Sequence, residues 1–508
     1  MTTKKVAAAL LIAVLTLCTA GGLWLRNADN LKPELTRLIE DQTGYEARFA
    51  GALTWSLLPP LQLHLDHLSL HNTAHTIDLR GLLLQLDLSA LWQGLDQWQI
   101  DHLRLDQGTF SEDGTELQIA DLRVAGFGLN RPTPVQLTVT VPDSAADTSM
   151  SVRLAGLLTY SPDSDGQPAR LQLADLAVEA DAVRALCQAT VLERPAPTDP
   201  GISTSPDALL PVDSLLQYDL DANCELEPLS LGSETLQQGV AILTLADGEL
   251  DLQLQFADFI GGQLNAQLHI DANSNAPLWQ ITPVLQRVDS QRLMRWLEQP
   301  LQWETQISAQ GLLSATGNTV AALTESLQGG LTLDGNTGQI DISAIKTPVL
   351  RAATLLKGAD EVAAWPEVWS YEQLQAQWQV DGIKQRLEVK ADHVSLTANG
   401  RYAMLSGDLD MLVDVTLMTP PDDSALRINP LLTGTPIPLR CEGQGGDARC
   451  SVREDAVQAM LARALTSDED SALRRKLDEK IDNEVPAEYR DAARGLLDML
   501  GRSLKKNP

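Results

Sequence analysis

The 508-residue sequence predicts a mainly β protein, in which a long antiparallel sheet lies between an N-terminal transmembrane helix and a helical C-terminal tail. Three observations support this fold class. Apolar and polar residues alternate with a period of two from about residue 45 to residue 450. Residues 6–25 carry no charge, and the chain after Cys450 changes to helical spacing with mixed charges. A period of two places successive side chains on opposite faces of a strand, so one face of the sheet is expected to be apolar.

The clearest strands have an apolar residue, most often leucine, at every second position and mostly Gln or Asp between. The segments 82–88, 250–256 and 374–380 show this pattern, which is typical of antiparallel sheet with one polar face. We expect their even-numbered apolar residues to stand on the inward face. These candidate positions are Leu82, Leu84, Leu86, Leu88, Leu250, Leu252, Leu254, Phe256, Trp378 and Val380.

Gly-containing turn signals separate the strands, and we predict hairpin turns at each of them. They are Ala246–Gly248, Asp334–Asn336, Asp381–Gly382 and Asn399–Gly400. Helical spacing is confined to a few short segments. Outside the tail these are Asn30–Asp41, Ser290–Glu298, Val320–Leu327 and Ala344–Lys357.

These helices are too few to cover so much apolar sheet. An apolar sheet face must pack on another layer or bend around a space that remains apolar. The alternation alone therefore leaves two architectures open, a closed sandwich and an open trough.

The N-terminus predicts an uncleaved inner-membrane anchor. Lys4 and Lys5 precede the apolar stretch 6–25, which would span about 30 Å as a helix, the thickness of a bilayer core. The two lysines favour a cytoplasmic N-terminus, so the remaining chain would lie outside the cytoplasm. A cleaved signal peptide and a lipoprotein signal at Cys18 are the alternatives, although Leu17 fits the second poorly.

The cysteines agree with an oxidising compartment. Besides Cys18 the chain has four, and Cys441 and Cys450 flank a predicted hairpin in which they face each other at a non-hydrogen-bonded pair. A Cys441–Cys450 disulfide leaves Cys187 and Cys224 as the second pair. Four free thiols are the alternative, and metal ligation is disfavoured because no C-x-x-C motif is present.

Composition changes suggest the domain boundaries. A stretch rich in Pro, Ser, Thr and Asp interrupts the alternation and reads as a linker. The last helix of the tail is amphipathic, which predicts packing on the end of the sheet or contact with the membrane or an envelope partner. The predicted parts are an anchor (1–26), a first β region (27–194), the linker (195–214), a second β region (215–452) and the tail (453–508).

Charge and motifs restrict the function. The chain has 38 Lys and Arg against 68 Asp and Glu, a net charge of −30, which excludes nucleic acid as a ligand. Four histidines cluster at residues 64, 67, 71 and 75, but strand geometry would scatter them over two faces, so we favour solvated histidines over a zinc site. No nucleophile, phosphate-loop, metalloprotease or dinucleotide motif is present. We therefore predict a protein that is not an enzyme, with no catalytic residues, cofactor or metal.

Two stretches resemble the AsmA family. The first has a Lys-Pro helix, a Thr-Gly turn, a "Gly … Trp-Ser … Pro" strand pair and a Leu-x-Asn step after the membrane helix. Its residues are Lys32–Pro33, Thr43–Gly44, Gly51, Trp55–Ser56, Pro59 and Leu70–Asn72. The second resembles the C-terminal half of that family. It includes Gly311, Gly317–Asn318, Leu323, Ser326–Gly329, Gly338–Ile342, Leu387–Gly400 and Ser406–Asp410.

The resemblance implies a Gram-negative envelope protein tied to outer-membrane biogenesis, similar to bridge-like lipid-transfer proteins with a chorein-type N-terminus. It favours the trough, with 27–194 and 215–452 as two AsmA-like β-groove regions that bind or conduct phospholipid acyl chains. The implied partners are phospholipid, the inner membrane through residues 6–25, and an outer-membrane or periplasmic partner at the tail. The alternative function is an assembly factor or scaffold that regulates insertion or targeting of outer-membrane proteins through protein contacts.

Overall fold

The protein is described here from a computed structural model, and the chain is mainly β. The described residues are 32–43, 45–56, 61–72, 75–86, 99–112, 115–142, 149–162, 168–180, 183–194, 208–232, 234–274, 276–299, 301–355, 359–418, 433–434, 436–444, 448–453, 478–483, 485–486, 489–491 and 493–496. The predicted anchor (1–26), most of the predicted linker (195–214) and most of the tail lie outside these ranges. Among the described residues, no helix combines the length and the apolar character needed to cross a membrane.

The contacts divide the chain into two units. Unit 1 comprises Met1–Pro206, Val212–Leu231 and Gln238–Gly248. Unit 2 comprises Asp207–Pro211, Gly232–Gln237 and Glu249–Pro508.

Unit 1 is an antiparallel meander in which each strand from β1 to β10 pairs with the next along the chain. Its helices are α1 (Lys32–Thr43) and α2 (Val212–Gln217). Its strands are β1 (Glu46–Ser56), β2 (Leu61–His71), β3 (His75–Leu86), β4 (Gln99–Glu112), β5 (Thr115–Gly128), β6 (Thr133–Pro142), β7 (Ser149–Ser161), β8 (Arg170–Ala180), β9 (Val183–Glu193) and β10 (Tyr218–Leu231). Strand β11 (Glu234–Ala246) contributes its first residues to unit 2 and the rest to unit 1.

Unit 2 continues the same pattern, with antiparallel pairing from β12 to β25 that passes over three short strands. The ladder strands are β12 (Glu249–Phe259), β13 (Gly262–Asp271), β14 (Leu278–Asp289), β16 (Gln306–Thr316), β17 (Gln328–Gly335), β20 (Leu374–Asp381), β21 (Lys384–Ala391), β22 (Val394–Ala403), β23 (Asp408–Leu417), β24 (Ile437–Gln444) and β25 (Arg449–Val452). The short strands β15 (Trp303–Glu304), β18 (Gly338–Asp341) and β19 (Val368–Tyr371) form a second, three-stranded sheet.

The predicted helices of unit 2 are confirmed to within two residues at each end. They are α3 (Ser290–Trp296), α4 (Val320–Ser326) and α5 (Ser343–Leu355), and α6 (Ala359–Ala363) follows. Side-chain caps explain two of the starts: the Asp289 carboxylate accepts from the Arg292 N–H at 3.0 Å, and the Thr319 hydroxyl accepts from the Ala322 N–H at 3.2 Å.

The predicted hairpin turns have mixed outcomes. Asp247–Gly248 form a turn between successive strands as predicted, and the second predicted turn is present one residue later, at Gly382–Ile383. At Asp334–Asn336 the chain instead leaves β17 for the three-stranded sheet. The turn predicted at Asn399–Gly400 is wrong, because both residues lie inside β22. A Cβ on Gly400 would lie 2.2 Å from the Asp410 carbonyl oxygen, so this glycine permits close approach of β23.

A row of irregular positions crosses unit 1 and shifts the side-chain alternation. On β2, β3, β4 and β5 the ladder passes over one residue, and these four are Asp66, Gly81, Asp106 and Asp121. Gly81 has φ +67°, and Asp106 fills the space beside it, where a Cβ would meet the Asp106 carboxylate at 2.4 Å. On each of these strands the apolar face therefore changes between odd- and even-numbered residues at this row, as from Leu65 to Leu68 on β2 and from Leu82 to Leu79 on β3.

Candidate functional site

One face of the unit 2 sheet is apolar across all of its ladder strands. Directly opposed residues of antiparallel strands stand on the same face, so the strand register defines that face. One lateral row crosses ten strands without a polar residue. Its members are Phe256, Leu264, Leu285, Ala309, Leu333, Ala376, Val389, Leu396, Val415 and Ile437.

The predicted positions of unit 2 all belong to this face. Leu250, Leu252, Leu254 and Phe256 oppose four apolar residues of β13. Further along the same face, Trp378 opposes Leu331, and Val380 opposes Gly329. Sequence reasoning thus identified six members of a surface that the register extends to more than thirty positions.

The predicted positions of unit 1 are described only in part. Leu82 opposes Leu65 and Leu84 opposes Leu63, and Leu82 packs against the buried pair of Leu53 and Leu65. Leu86 lies at the end of β3 with its backbone in the ladder, and Leu88 lies outside the described residues. The same face continues across β1 to β8 along another row. That row is Phe49, Leu68, Leu79, Gly108, Ile119, Val139, Val152 and Ala180.

The apolar face of unit 2 is half-open to solvent over most of its area. Leu250, Leu252 and Leu254 are half-buried, and Ile281 in the middle of the face is 38% exposed. Between them stand exposed polar residues such as Gln253 and Gln255 on the opposite face. A second layer would have buried these leucines completely, so this part of the sheet resembles an open trough more than a closed sandwich.

One polar side chain interrupts the apolar face. Gln385 stands on it opposite Val380 and Gly400. Its Oε1 accepts from the Trp378 indole N–H at 3.0 Å, and its Nε2 donates to the Tyr402 carbonyl oxygen at 3.5 Å. The amide is thus satisfied by neighbours, and the indole nitrogen of Trp378 is directed along the sheet.

Both predicted disulfides are present on the apolar faces. Cys187 of β9 opposes Cys224 of β10, and Cys441 of β24 opposes Cys450 of β25. The Cα atoms of each pair are 4.0 Å apart, the close approach expected of a non-hydrogen-bonded pair. The hairpin register predicted for 441–450 is confirmed.

The histidines of β2 interact with single neighbours. The His67 Nε2 lies 3.1 Å from the Asp78 carboxylate, and the hydrogen bond holds the pKa of Asp78 below its usual range. His64 lies 3.3 Å from Asp66, and His71 contacts the Thr76 hydroxyl at 2.9 Å. Within the described ranges no group of three His, Cys, Asp or Glu side chains is placed to hold a metal ion.

A buried ion pair in unit 2 has a structural explanation. Glu234, only 8% exposed, accepts hydrogen bonds from the Arg292 guanidinium, which raises the pKa of that arginine. Because Arg292 belongs to α3 and Glu234 to β11, the pair fastens the helix to the sheet. A buried carboxylate needs such a partner to remain charged.

The described part of the tail contains short helical segments at 478–483 and 493–496. Ile481 is 7% exposed, and Arg494 joins the segments through Asp482 at 2.6 Å. Leu496 is 57% exposed. The contact predicted for this tail with a membrane or partner remains a prediction.

The sequence matches the AsmA family over residues 1–114 and 195–359, which together are more than half of the chain. No curated protein and no solved structure matches it. The match includes the first strand pairs of unit 1 and the strands of unit 2 that carry Leu250–Phe256, so the family assignment and the apolar sheet concern the same segments. The chain therefore belongs to the AsmA family, which is associated with the bacterial envelope.

Proposed function

We propose that this chain is a periplasmic protein of outer-membrane biogenesis, anchored in the inner membrane, that binds or conducts phospholipid through the apolar face of its sheet. The observation that carries the proposal is the apolar row across unit 2, which is half-open from Leu264 of β13 to Leu396 of β22. Lateral continuity matters because an acyl chain that moves from strand to strand must meet apolar side chains at every step.

The physical chemistry of the face suits acyl chains. Each methylene removed from water contributes about 0.8 kcal/mol, so a two-tailed lipid can be held without specific polar contacts. The opposite face bears exposed Gln and Asp side chains, and headgroups at the rim would remain in water. The net charge of −30 disfavours flat adsorption on an anionic bilayer, which favours capture of single lipids.

The proposed location rests on the apolar N-terminal stretch and on the two disulfides. The stretch 6–25 would be the inner-membrane anchor, and the two disulfides suit an oxidising compartment. With this topology both units would lie in the periplasm. The exposed Leu496 of the tail would be available to an outer-membrane or periplasmic partner.

The test uses two substitutions on the apolar face, Leu252→Asp and Leu254→Asp, with Gln253→Asp and Gln255→Asp as the matched control on the opposite face of β12. The charges at 252 and 254 face lipid or water in an open trough. We therefore expect a folded, well-expressed double variant that loses bound lipid, measured by mass spectrometry of the purified full chain, and fails to complement an envelope defect. The control should behave as the parent protein.

Two outcomes would contradict the proposal. Unfolding of the 252/254 variant but not of the control would favour a covered, sandwich-like face. Normal complementation by a folded 252/254 variant would remove the lipid function and favour the alternative, a scaffold that influences outer-membrane protein insertion through protein contacts.

A further inference from the structure

Side-chain exposure on the apolar face of unit 2 changes abruptly near its C-terminal end. From β12 to β22 most apolar residues of the face are half-buried, including Leu254, Leu331 and Leu396. On β23 and β24 the members of the face are buried except at one end, where Leu409 is half-buried and Gly443 is exposed. The buried members are Met411 (7% exposed), Val413 (7%), Val415 (1%), Leu417 (1%), Ile437 (0%), Leu439 (2%) and Cys441 (7%).

Helix α5 lies against this end of the sheet. It contacts β24 and β25, and α6 packs on α5. Val349 and Ala353 of α5 and Val362 of α6 are each 0% exposed. Because the apolar residues of β24 are buried while Arg440 and Glu442 are exposed, α5 lies on the side of the sheet that remains half-open elsewhere in unit 2, next to β23.

The two helices belong to a chain segment that leaves the three-stranded sheet after β18 and returns to it at β19. The last pair of the β18–β19 ladder is Asp341 with Val368, and beyond it the Ile342 N–H donates to the Glu367 carbonyl oxygen at 2.9 Å. Residues 343–366, which we call the cover segment, thus leave and return at adjacent positions. The small sheet is itself fixed, since the buried Trp303 indole N–H donates to the Tyr371 hydroxyl at 2.6 Å.

We infer that the cover segment terminates the acyl-chain path of unit 2, so that lipid contacts the face from β12 to β22 and is excluded from β23 and β24. The inference rests on the proposed lipid function. It assigns the specificity-determining role to Val349, Ala353 and Val362, which fill the space that the next methylenes of an acyl chain would occupy.

The experiment uses the full chain with photo-leucine, a diazirine analogue of leucine, incorporated at the leucine positions. After irradiation in cells, mass spectrometry locates lipid adducts residue by residue. We expect lipid adducts on Leu252, Leu254 and Leu331 and no adducts on Leu417 and Leu439. Leu412 of β23, 44% exposed on the opposite face, controls for lipid labelling that is independent of the apolar face.

A second chain replaces the cover segment by Asn-Gly, a two-residue hairpin turn that suits the adjacent ends at Ile342 and Glu367. In this variant Leu417 and Leu439 should gain adducts while Leu412 remains unlabelled. Adducts on Leu439 in the intact chain would overturn the inference, as would an unlabelled Leu439 in a folded variant that still labels Leu254. If the variant does not fold, the presence or absence of adducts on Leu417 and Leu439 in the intact chain tests the inference.

The same data separate the two claims. Absence of adducts on Leu252, Leu254 and Leu331 in the intact chain overturns the proposed function and the inference with it. Adducts there together with adducts on Leu417 and Leu439 leave the lipid function standing and overturn the inference alone.

Discussion

At the scale of single residues, the two disulfides differ in the length of chain that they close. Cys187 and Cys224 are 37 residues apart and bracket the proline-rich stretch, whereas Cys441 and Cys450 are only 9 apart in a hairpin. A cross-link restricts the unfolded chain more when its loop is longer. The first disulfide is thus expected to matter more, because β9 and β10 have no short turn to bring them together.

Removal of the Cys187–Cys224 disulfide should therefore lower the free energy of unfolding more than removal of the Cys441–Cys450 disulfide. On loop-entropy grounds, the double substitution Cys187→Ala/Cys224→Ala should cost about 4 kcal/mol and Cys441→Ala/Cys450→Ala about 3 kcal/mol. Urea unfolding of the two variants against the parent measures the order. Thiol labelling of the denatured, unreduced parent should find these four cysteines unreactive, and four labelled thiols would contradict both pairings.

The period of two predicted which residues form the apolar face of unit 1 only up to the irregular position in each strand. The rule that even-numbered residues point inward holds for Leu82 and Leu84 on β3. Beyond Gly81 the same face is formed by Leu79 and Ile77, since each strand gains one residue at the Asp66–Asp121 row. The sequence marks such a position only as a Gly or Asp within an apolar run, which is also the signature of a turn. Gly400 led to the opposite error, since a glycine inside β22 was predicted to be part of a turn.

At the scale of elements, α5 depends on a side-chain cap from the strand before it. The Asp341 carboxylate accepts from the Ser343 backbone N–H at 2.8 Å and from the Ser343 hydroxyl at 2.5 Å. These hydrogen bonds hold the pKa of Asp341 below its ordinary value of 3.8. A carboxyl whose pKa is lowered by folding adds stability above its unfolded pKa, and this contribution is lost as the pH falls through the folded pKa.

The cap predicts acid sensitivity confined to α5. Asp341→Ala should destabilise the helix by about 1 kcal/mol at neutral pH, seen as faster hydrogen exchange of α5 amides. The difference between Asp341→Ala and the parent should begin to shrink as the pH falls below 3.8 and disappear as it passes through the lower pKa of the folded Asp341 carboxyl. Asp341→Asn retains an acceptor oxygen and serves as the control. An equal parent-to-alanine difference at pH 3 and pH 7 would contradict the assignment.

The existence of α5 could be predicted from its helical spacing, but its position over β24 and β25 could not. The three-stranded sheet that holds it consists of strands only two to four residues long, drawn from segments more than 25 residues apart. Strands this short carry no measurable alternation. The end of the open face was therefore invisible in the sequence, whereas its beginning at Leu250 was not.

At the scale of the whole molecule, the predicted topology places every residue after the anchor on one side of the inner membrane. Lys4 and Lys5 determine the orientation through their preference for the cytoplasm. A reporter active only in the periplasm should be active when fused after Pro508. The same fusion with Lys4 and Lys5 replaced by Glu should lose part of that activity. Activity of a cytoplasm-only reporter at Pro508 would contradict the topology.

The strand order within each unit has a consequence for how the chain is made. Nearly every strand pairs with the strand that precedes it, so a newly synthesised strand finds its partner already in place and few distant segments must meet. In the proposed periplasmic location, such a sheet could grow from its N-terminal strand during translocation. Within unit 1 the longest pause falls between β9 and β10, where the pairing of β10 must wait until the proline-rich stretch has emerged. Oxidation of Cys187 with Cys224 would then lock the step at which growth resumes, so a strain lacking its thiol oxidant should accumulate chains stalled at that point.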